Sequence, residues 1–200
     1  MREKRLQIQS FTFGPFATNT YIVSDEKGNT LLVDPACYNV SEQQILQNCI
    51  QPSNLQILAT HGHLDHLWGA AWACRQWHTK VLIFDADIPM VEKMQEQYDF
   101  FGIRATAHSF PIEPLSRENA PLHAQLLHTP GHTPGSVCLY WEEEKILLSG
   151  DTLFNGGYGR TDLPGGNMQQ LLQSLDILWR LPSGTQVFPG HGDTTMITHR

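Results

Sequence analysis

The sequence predicts a mixed α/β fold in which two similar halves pack sheet against sheet, with helices on the outside. Short apolar or alternating runs between tight turns predict strands in both halves. Apolar residues at helical spacing predict helices between and after these strands. The segments TLLVD at 30–34 and KILLSGD at 145–151 each run into an acidic residue and precede a helix, which indicates two related halves.

The first third of the chain consists mainly of predicted strands. LQIQSFTF at 6–13 alternates apolar and polar residues, and NTYIV at 19–23 and TLLVDP at 30–35 follow it. The turn DEKGN at 25–29 separates the last two strands. Short strands joined by tight turns predict a meander that is antiparallel at least in part.

Helices and strands are predicted to alternate through the middle of the chain. Ser41 is the expected N-cap of a helix that ends before Pro52. The pattern then predicts, in order, a strand at 55–60, a helix at 67–77, a strand at 81–84, a helix at 87–103 and an irregular segment at 111–121.

The last part of the chain repeats the mixture of strands and one long helix. The acidic turn EEE at 142–144 separates two apolar runs and predicts a hairpin. Apolar positions at helical spacing predict an amphipathic helix at 168–181. The predicted strands of this part are 126–129, 136–141, 145–149 and 186–189.

Composition limits the class of protein. Of 200 residues, 40% are hydrophobic and 16% are charged, so we expect one folded domain over 1–200. The net charge of −7, without a Lys/Arg cluster, argues against nucleic acid or an anionic membrane as a partner. No apolar run approaches the roughly 20 residues that a membrane span needs, and no signal-peptide core follows the N-terminus. We therefore expect a cytoplasmic protein.

The segment THGHLDH at 60–66 concentrates metal-binding side chains directly after a predicted strand. Imidazole and carboxylate are common ligands for Zn²⁺ and similar ions. His61 and His63 are two residues apart in a turn and can point the same way. Asp65 and His66 begin the next segment and can point to a neighbouring position. The cluster therefore offers ligands for two adjacent metal ions.

Three further candidate ligands follow predicted strands later in the chain. His132, Asp151 and His191 each lie beside a glycine or in a tight turn. Loops at one end of a sheet are where functional residues are normally placed. A structural zinc site closes with four ligands, so a larger set predicts an open centre with room for water. The seven candidate ligands are His61, His63, Asp65, His66, His132, Asp151 and His191.

This set, opened by the H-x-H-x-D-H motif, resembles the metal signature of the metallo-β-lactamase superfamily. The resemblance spans Asp34 to His191 and implies a four-layer αβ/βα sandwich with its metals at one edge. It implies that Asp34 contacts a ligand and not the metal itself. The ligand sets it implies are His61, His63 and His132 for one ion, Asp65, His66 and His191 for the second, and Asp151 as the bridge.

The resemblance also implies a hydrolase. Two divalent ions about 3.5–4 Å apart acidify a bridging water, and the resulting hydroxide attacks a carbonyl or a phosphorus. The implied ions are Zn²⁺, although the same ligands accept iron or manganese. Asp65 and Asp151 are the acidic ligands expected to take part in catalysis. The sequence holds no nucleophile elbow, P-loop or dinucleotide glycine pattern.

Two stretches narrow the resemblance to the small glyoxalase II-like hydrolases. They are YGRTDLPGG at 158–166 and PGHGDTT at 189–195. The similarity implies hydrolysis of a hydroxyacyl thioester, with S-lactoylglutathione as the reference substrate. It also leads us to expect no C-terminal helical domain of the kind found in larger glyoxalase II enzymes. Tyr158 and Arg160 are candidate substrate contacts, although Arg160 can equally pair with Asp162.

Two other activities remain open. Persulfide dioxygenases share the first histidine cluster and the Gly-Arg-Thr-Asp stretch, and bind one iron through residues that correspond to His61, His132 and Asp151. The complete second ligand set favours the hydrolase over this alternative. A lactonase or β-lactamase-like hydrolase is less favoured, because the chain is short and carries the Gly-Arg-Thr-Asp loop.

The segment 87–121 is a candidate cover for the metal edge. Phe100, Phe101 and Phe110 are candidates to line an acyl pocket there. A place in the core is an equally good interpretation of these three aromatic residues.

Overall fold

The computed structural model describes residues 6–51 and 54–199, so the predicted helix stop at Pro52 lies outside the described residues. The strands are β1 (Leu6–Phe13), β2 (Thr18–Asp25), β3 (Thr30–Val33), β4 (Leu55–Leu58), β5 (Val81–Phe84), β6 (Ile112–Leu115), β7 (Gln125–His128), β8 (Val137–Trp141), β9 (Ile146–Gly150), β10 (Gln186–Pro189) and β11 (Thr195–Met196). The α-helices are α1 (Val40–Cys49), α2 (Ala70–Trp77), α3 (Ile88–Glu92), α4 (Met94–Phe100) and α5 (Met168–Trp179).

The strands form two sheets. The first has the order β1-β2-β3-β4-β5-β6; its first three strands are antiparallel, as the meander predicted, and β3 to β6 are parallel. The second has the order β11-β10-β9-β8-β7, in which β9 and β10 are parallel and the other pairs antiparallel. The predicted hairpin at 142–144 joins β8 to β9.

Three clusters of buried apolar side chains fill the spaces between the layers. Side chains from both sheets, such as Leu31 of β3 and Leu148 of β9, pack in one cluster between them. The outer face of the first sheet, including Ile57, packs on α1 through Leu46 and on the helices that follow. The apolar stripe of α5 packs on the outer face of the second sheet. This order of helices, sheet, sheet and helix confirms the predicted four-layer αβ/βα sandwich.

The helix predicted at 87–103 is interrupted. A 3-10 turn at 85–87 leads into α3, and the chain leaves helical geometry at Lys93 before α4 begins. At the break, Gln97 Nε2 donates to Met90 O at 3.3 Å and to Gly62 O at 2.9 Å. The side-chain amide therefore stabilises the break and ties α4 to the loop that carries the first histidines.

The segment 111–121, predicted to be irregular, contains the parallel edge strand β6. The strand was missed because Pro111 and Pro114 argue against a strand in the sequence pattern. Prolines are nevertheless tolerated at the edge of a sheet, where β6 lies. The two-residue strand β11 was also missed, because so short a segment has no periodicity to read. Within the described residues, no helix has the length and apolar character needed to cross a membrane.

Helix α1 begins one residue before the predicted cap. Asn39, not Ser41, is the N-cap, because its Oδ1 accepts from Glu42 N at 3.0 Å. The Ser41 hydroxyl donates to the same oxygen at 2.6 Å. The predicted helix at 67–77, by contrast, starts later than predicted, since α2 begins at Ala70 after a 3-10 turn at 64–66.

Candidate metal centre

The predicted ligands meet at one edge of the sandwich, where strands of both sheets end. His61 follows β4 in the first sheet, while Asp151 and His191 follow the parallel strands β9 and β10 in the second. A backbone hydrogen bond joins the sheets there, since Asn19 N donates to Gly190 O at 2.7 Å. The fold therefore brings residues up to 130 positions apart into one site.

The first group of ligand atoms comes from His61, His63 and His132. One nitrogen from each lies within 4.8 Å of the others. His61 Nε2 is 3.1 Å from His63 Nδ1, and the ring centroids of His63 and His132 are 4.5 Å apart. This is the set that the resemblance implies for one metal ion.

The second group comes from Asp65, His66 and His191. Its ligand atoms also lie within 4.8 Å of one another. Asp65 Oδ2 is 3.3 Å from His191 Nε2 and 3.5 Å from His66 Nε2. The structure therefore assembles a complete second set beside the first.

Asp151 lies between the two groups. Its carboxylate oxygens are 3.4 Å from His132 Nε2 on one side and 3.4 Å from His66 Nε2 on the other. A side chain at Gly190 would collide with Asp151 Oδ1, so a glycine is needed where the last ligand loop passes this carboxylate. The position of Asp151 is the one expected of a bridging ligand.

Asp34 holds histidines from both groups. It is fully buried and its backbone has a φ of 51°, a left-handed conformation that is uncommon for a residue other than glycine. Its carboxylate accepts from His66 Nδ1 at 2.9 Å and from the Thr60 hydroxyl at 2.8 Å. Because the Thr60 hydroxyl proton is donated to Asp34, the Thr60 oxygen accepts a hydrogen bond from His61 Nδ1 at 3.0 Å. Both histidines are thereby left with Nε2 free to face the centre.

Two further hydrogen bonds orient ligands. His132 Nδ1 donates to the carbonyl of Arg160 at 2.7 Å, which leaves its Nε2 towards Asp151. The Thr18 hydroxyl donates to Asp65 Oδ2 at 2.7 Å. Such outer contacts fix the tautomer and direction of metal-binding side chains.

Sequence reasoning missed Asp87, which links two ligand loops. It is fully buried, and its carboxylate accepts from Gly62 N at 2.8 Å, between two histidines of the first group. It also accepts from the Thr133 hydroxyl and from Gly135 N, both at 2.6 Å, beside His132. These partners are 25 to 48 residues distant in sequence, so no local motif reveals the contact.

The charges of the site differ between its two halves. Burial, with the neighbouring histidines, lowers the pKa of His61 well below its ordinary value and that of His63 to about 3. Burial opposes the charged form of His66 too, but the nearby carboxylates of Asp65 and Asp151 outweigh it and raise the pKa of His66. Burial raises the pKa of both carboxyls, but the charge of His66 outweighs it and holds each pKa low. The carboxylates are therefore ionised and His61 and His63 are neutral, as metal binding requires, whereas His66 holds a proton that a bound ion would displace.

The family model of the metallo-β-lactamase superfamily matches residues 13–191. The chain belongs to this superfamily. It is 35% identical to a probable metallo-hydrolase, YqgX, of Bacillus subtilis, over 91% of this chain and 88% of that protein. It is 32% identical to the hydroxyacylglutathione hydrolase GloC of Haemophilus influenzae, over 96% of this chain and 93% of that protein.

A solved structure shares the fold over nearly the whole chain. The crystal structure of TTHA1623 in a di-iron-bound form has a TM-score of 0.84 and 34% sequence identity, and covers 94% of both chains. Membership of the metallo-β-lactamase superfamily and these hydrolase relatives support a metal-dependent hydrolase.

Two buried atoms show that the site of this superfamily member fits metal ions. Among the described residues, three buried side-chain atoms have no hydrogen-bond partner: His132 Nε2, Asp151 Oδ1 and, away from the ligands, the Tyr140 hydroxyl. Leaving buried polar atoms without a partner costs free energy. Two of the three atoms belong to predicted ligands, and a bound cation would satisfy both of these. Nitrogen and carboxylate donors of this kind suit divalent metals.

The predicted substrate residues have exposed side chains, and the backbone of Arg160 adjoins the site through its carbonyl bond to His132. Tyr158 is 47% exposed. Arg160 is also exposed, and its guanidinium binds Asp162 through two hydrogen bonds of 2.6 Å. The structure therefore contains the pairing that was the alternative interpretation of Arg160. Whether either side chain contacts substrate stays a prediction.

The predicted cover of the metal edge is formed by only part of 87–121. Phe100 and Phe101, at the end of α4, line a cleft beside His63. Phe110 packs against the core under the first sheet instead. Residues 112–115 of the segment form the edge strand β6 of that sheet.

Proposed function

We propose that the protein is a thioesterase that hydrolyses S-lactoylglutathione or a related hydroxyacyl thioester with the help of two divalent metal ions, Zn²⁺ in the first instance. The observation that carries this proposal is the complete pair of ligand groups around Asp151. The relative GloC, named as a hydroxyacylglutathione hydrolase, supports the substrate class. The partner proposed for the chain is thus a small-molecule thioester and not a nucleic acid or a membrane.

Each ligand group would hold one of the two ions. His61, His63 and His132 would hold one ion, and Asp65, His66 and His191 the other, with Asp151 shared. When bound, such ions polarise a carbonyl oxygen and bring the pKa of a water ligand towards neutrality.

The protein's own contribution is positioning and exclusion of water. The Asp34 carboxylate and the Thr60 hydroxyl fix two histidines, while the Arg160 carbonyl fixes a third. These bonds hold histidines from two loops in place before any substrate arrives, which lowers the reorganisation that catalysis would otherwise need. Apolar side chains beside His63 give the acyl or thiol part of the substrate a dry surface.

The direct test is hydrolysis of S-lactoylglutathione by the full chain. Metal-free protein would be loaded in parallel with Zn²⁺, Fe²⁺ or Mn²⁺, and each sample assayed with and without a chelator. We expect chelator-sensitive release of the thiol, and the most active ion identifies the metal. Absence of thioester hydrolysis with all three ions would refute the thioesterase proposal.

The mononuclear persulfide dioxygenase is the second candidate, because it needs His61, His132 and Asp151, which the structure also brings together. Oxygen consumption with a persulfide by the iron-loaded protein would favour it. The complete second group favours the hydrolase, since that group has no part in a one-iron site.

A further inference from the structure

A cleft of about 480 Å³ opens beside His63 and between α3, α4 and the loop at 163–165. This volume lies within the range of roughly 300–1,000 Å³ that is usual for small-molecule sites. Its walls are mainly apolar and include Met90, Phe100, Phe101, Pro134, Leu163 and Pro164. Because one wall belongs to a predicted metal ligand, a molecule in the cleft would adjoin the reacting centre.

The aromatic wall of the cleft is braced from behind. Phe101 contacts Phe100 and Phe16 edge to face, with ring centroids 5.1 and 5.6 Å apart. Phe16 in turn packs on Trp68 at 5.4 Å. This bracing restrains the rings before a ligand binds, which reduces the entropy cost of binding.

The wall nevertheless leaves apolar surface in water. Phe100 is 66% exposed and Phe101 is 38% exposed. Covering such surface is favourable by about 25 cal/mol per Å² of apolar area. An apolar ligand group would therefore gain affinity from these two rings.

The cleft offers little to an anionic ligand. Among the described residues that line it, Lys93 is the only Lys or Arg, and its Nζ lies 3.9 Å from Glu96 Oε1. The nearby Arg160 is held by both oxygens of Asp162. A glutathione moiety carries two carboxylates, and among the described lining residues only Lys93, which already faces Glu96, offers them a positive charge.

We propose that this cleft binds an apolar group, aliphatic or aromatic, of a thioester whose carbonyl lies at the metal centre. The inference rests on the proposed thioesterase and narrows its substrate class. The apolar group belongs either to the acyl part or to the thiol, since both adjoin the reacting carbonyl. S-lactoylglutathione, with a small polar acyl group and a charged carrier, is then hydrolysed less efficiently than an apolar thioester.

The test compares thioesters that differ in one part at a time, using the metal-loaded full chain. In the first arm, glutathione carries either a lactoyl or a phenylacetyl group. In the second arm, a lactoyl group is carried either by glutathione or by benzyl mercaptan. We expect kcat/KM to rise about tenfold or more with the apolar group in at least one arm, and that arm identifies the part that the cleft binds.

Variants locate the effect in the cleft. Phe100→Ala removes a ring that is 66% exposed and is not one of the predicted ligands, so we expect the fold and the metal centre to stay intact. We expect it to cut kcat/KM for the preferred apolar thioester about tenfold, and to cut kcat/KM for S-lactoylglutathione by a clearly smaller factor. Trp179→Ala is the matched control, because Trp179 is 50% exposed on α5 and does not line the cleft.

Binding without turnover gives an independent measurement. A thioether analogue with a benzyl group would be titrated into metal-free protein by calorimetry, and Phe100→Ala should weaken its binding about tenfold. Equal hydrolysis of polar and apolar thioesters, or an apolar preference that survives Phe100→Ala, would overturn the cleft assignment alone. No hydrolysis of any thioester would overturn the proposed function.

Discussion

The Asp34 carboxylate accepts a hydrogen bond from His66 Nδ1 at 2.9 Å, although the two residues belong to different loops. The same carboxylate holds the Thr60 hydroxyl, which holds His61. One acidic side chain therefore orients a histidine in each ligand group. The left-handed backbone of Asp34 is a strained conformation that the protein keeps at this position.

Replacing Asp34 tests this shared role. We expect Asp34→Asn to lower metal affinity about 10–100-fold, because an amide cannot accept all the hydrogen bonds that the carboxylate accepts. Metal titration by calorimetry measures the change. Asp176→Asn, at an exposed acid that pairs with Arg180, is the matched control. Unaltered metal affinity in Asp34→Asn would show that its hydrogen bonds do not position the ligands.

Asp87 provides a second test, of the link between the ligand loops. In Asp87→Ala, three donors lose their acceptor, and each unsatisfied buried group costs about 1–3 kcal/mol. We expect a lower free energy of unfolding in urea and weaker metal binding by the first ligand group. Asp87→Asn keeps one acceptor and should fall between Asp87→Ala and the unaltered protein. Equal stability of all three proteins would contradict this role.

The site was easier to predict from sequence than the contacts that support it. His61, His63, Asp65 and His66 are close in sequence, so their chemistry is visible as a motif. Asp87 is a single acid in a segment predicted as helix, and its partners lie in distant loops.

The alternation of apolar residues located most strands, because it reflects burial within each strand. It failed at β6, where Pro114 interrupts the pattern, and at the break in the helix at Lys93. That break depends on Gln97, whose partners Gly62 and Met90 are known only from the fold.

Variants of the Arg160–Asp162 pair distinguish two roles of Arg160, which are support of its loop and contact with substrate. Both side chains are exposed, and an exposed ion pair contributes only about 0–1 kcal/mol. If the pair merely holds the loop, Arg160→Ala and Asp162→Ala should change KM equally and less than about threefold. A rise in KM in Arg160→Ala that Asp162→Ala does not reproduce would show that Arg160 contacts substrate.

The pH dependence of metal binding should differ between the two groups. Burial lowers the pKa of His66 and His191, but the neighbouring carboxylates raise it by more. Both histidines therefore hold a proton in metal-free protein up to a higher pH than usual. A metal ion must displace these protons, so affinity of the second group should rise as the pH increases through neutrality. His61 and His63 have lowered pKa values and are already neutral there, so the affinity of the first group should stay nearly constant.

Calorimetric titration in two buffers of different ionisation enthalpy counts the protons released. Release of protons on filling only one of two sites is the expected result. Proton uptake, or equal release at both sites, would contradict the assignment of charges.

The central claim is that seven side chains form one centre for two metal ions and that this centre hydrolyses a thioester. The most direct measurement is turnover of S-lactoylglutathione, or of the preferred thioester, against the number of ions bound per chain as Zn²⁺ is added to metal-free protein. We predict that turnover reaches its plateau at two bound ions, and that His63→Ala and Asp151→Ala bind less metal and lose turnover. A plateau at one bound ion, or full activity in either variant, would contradict the account.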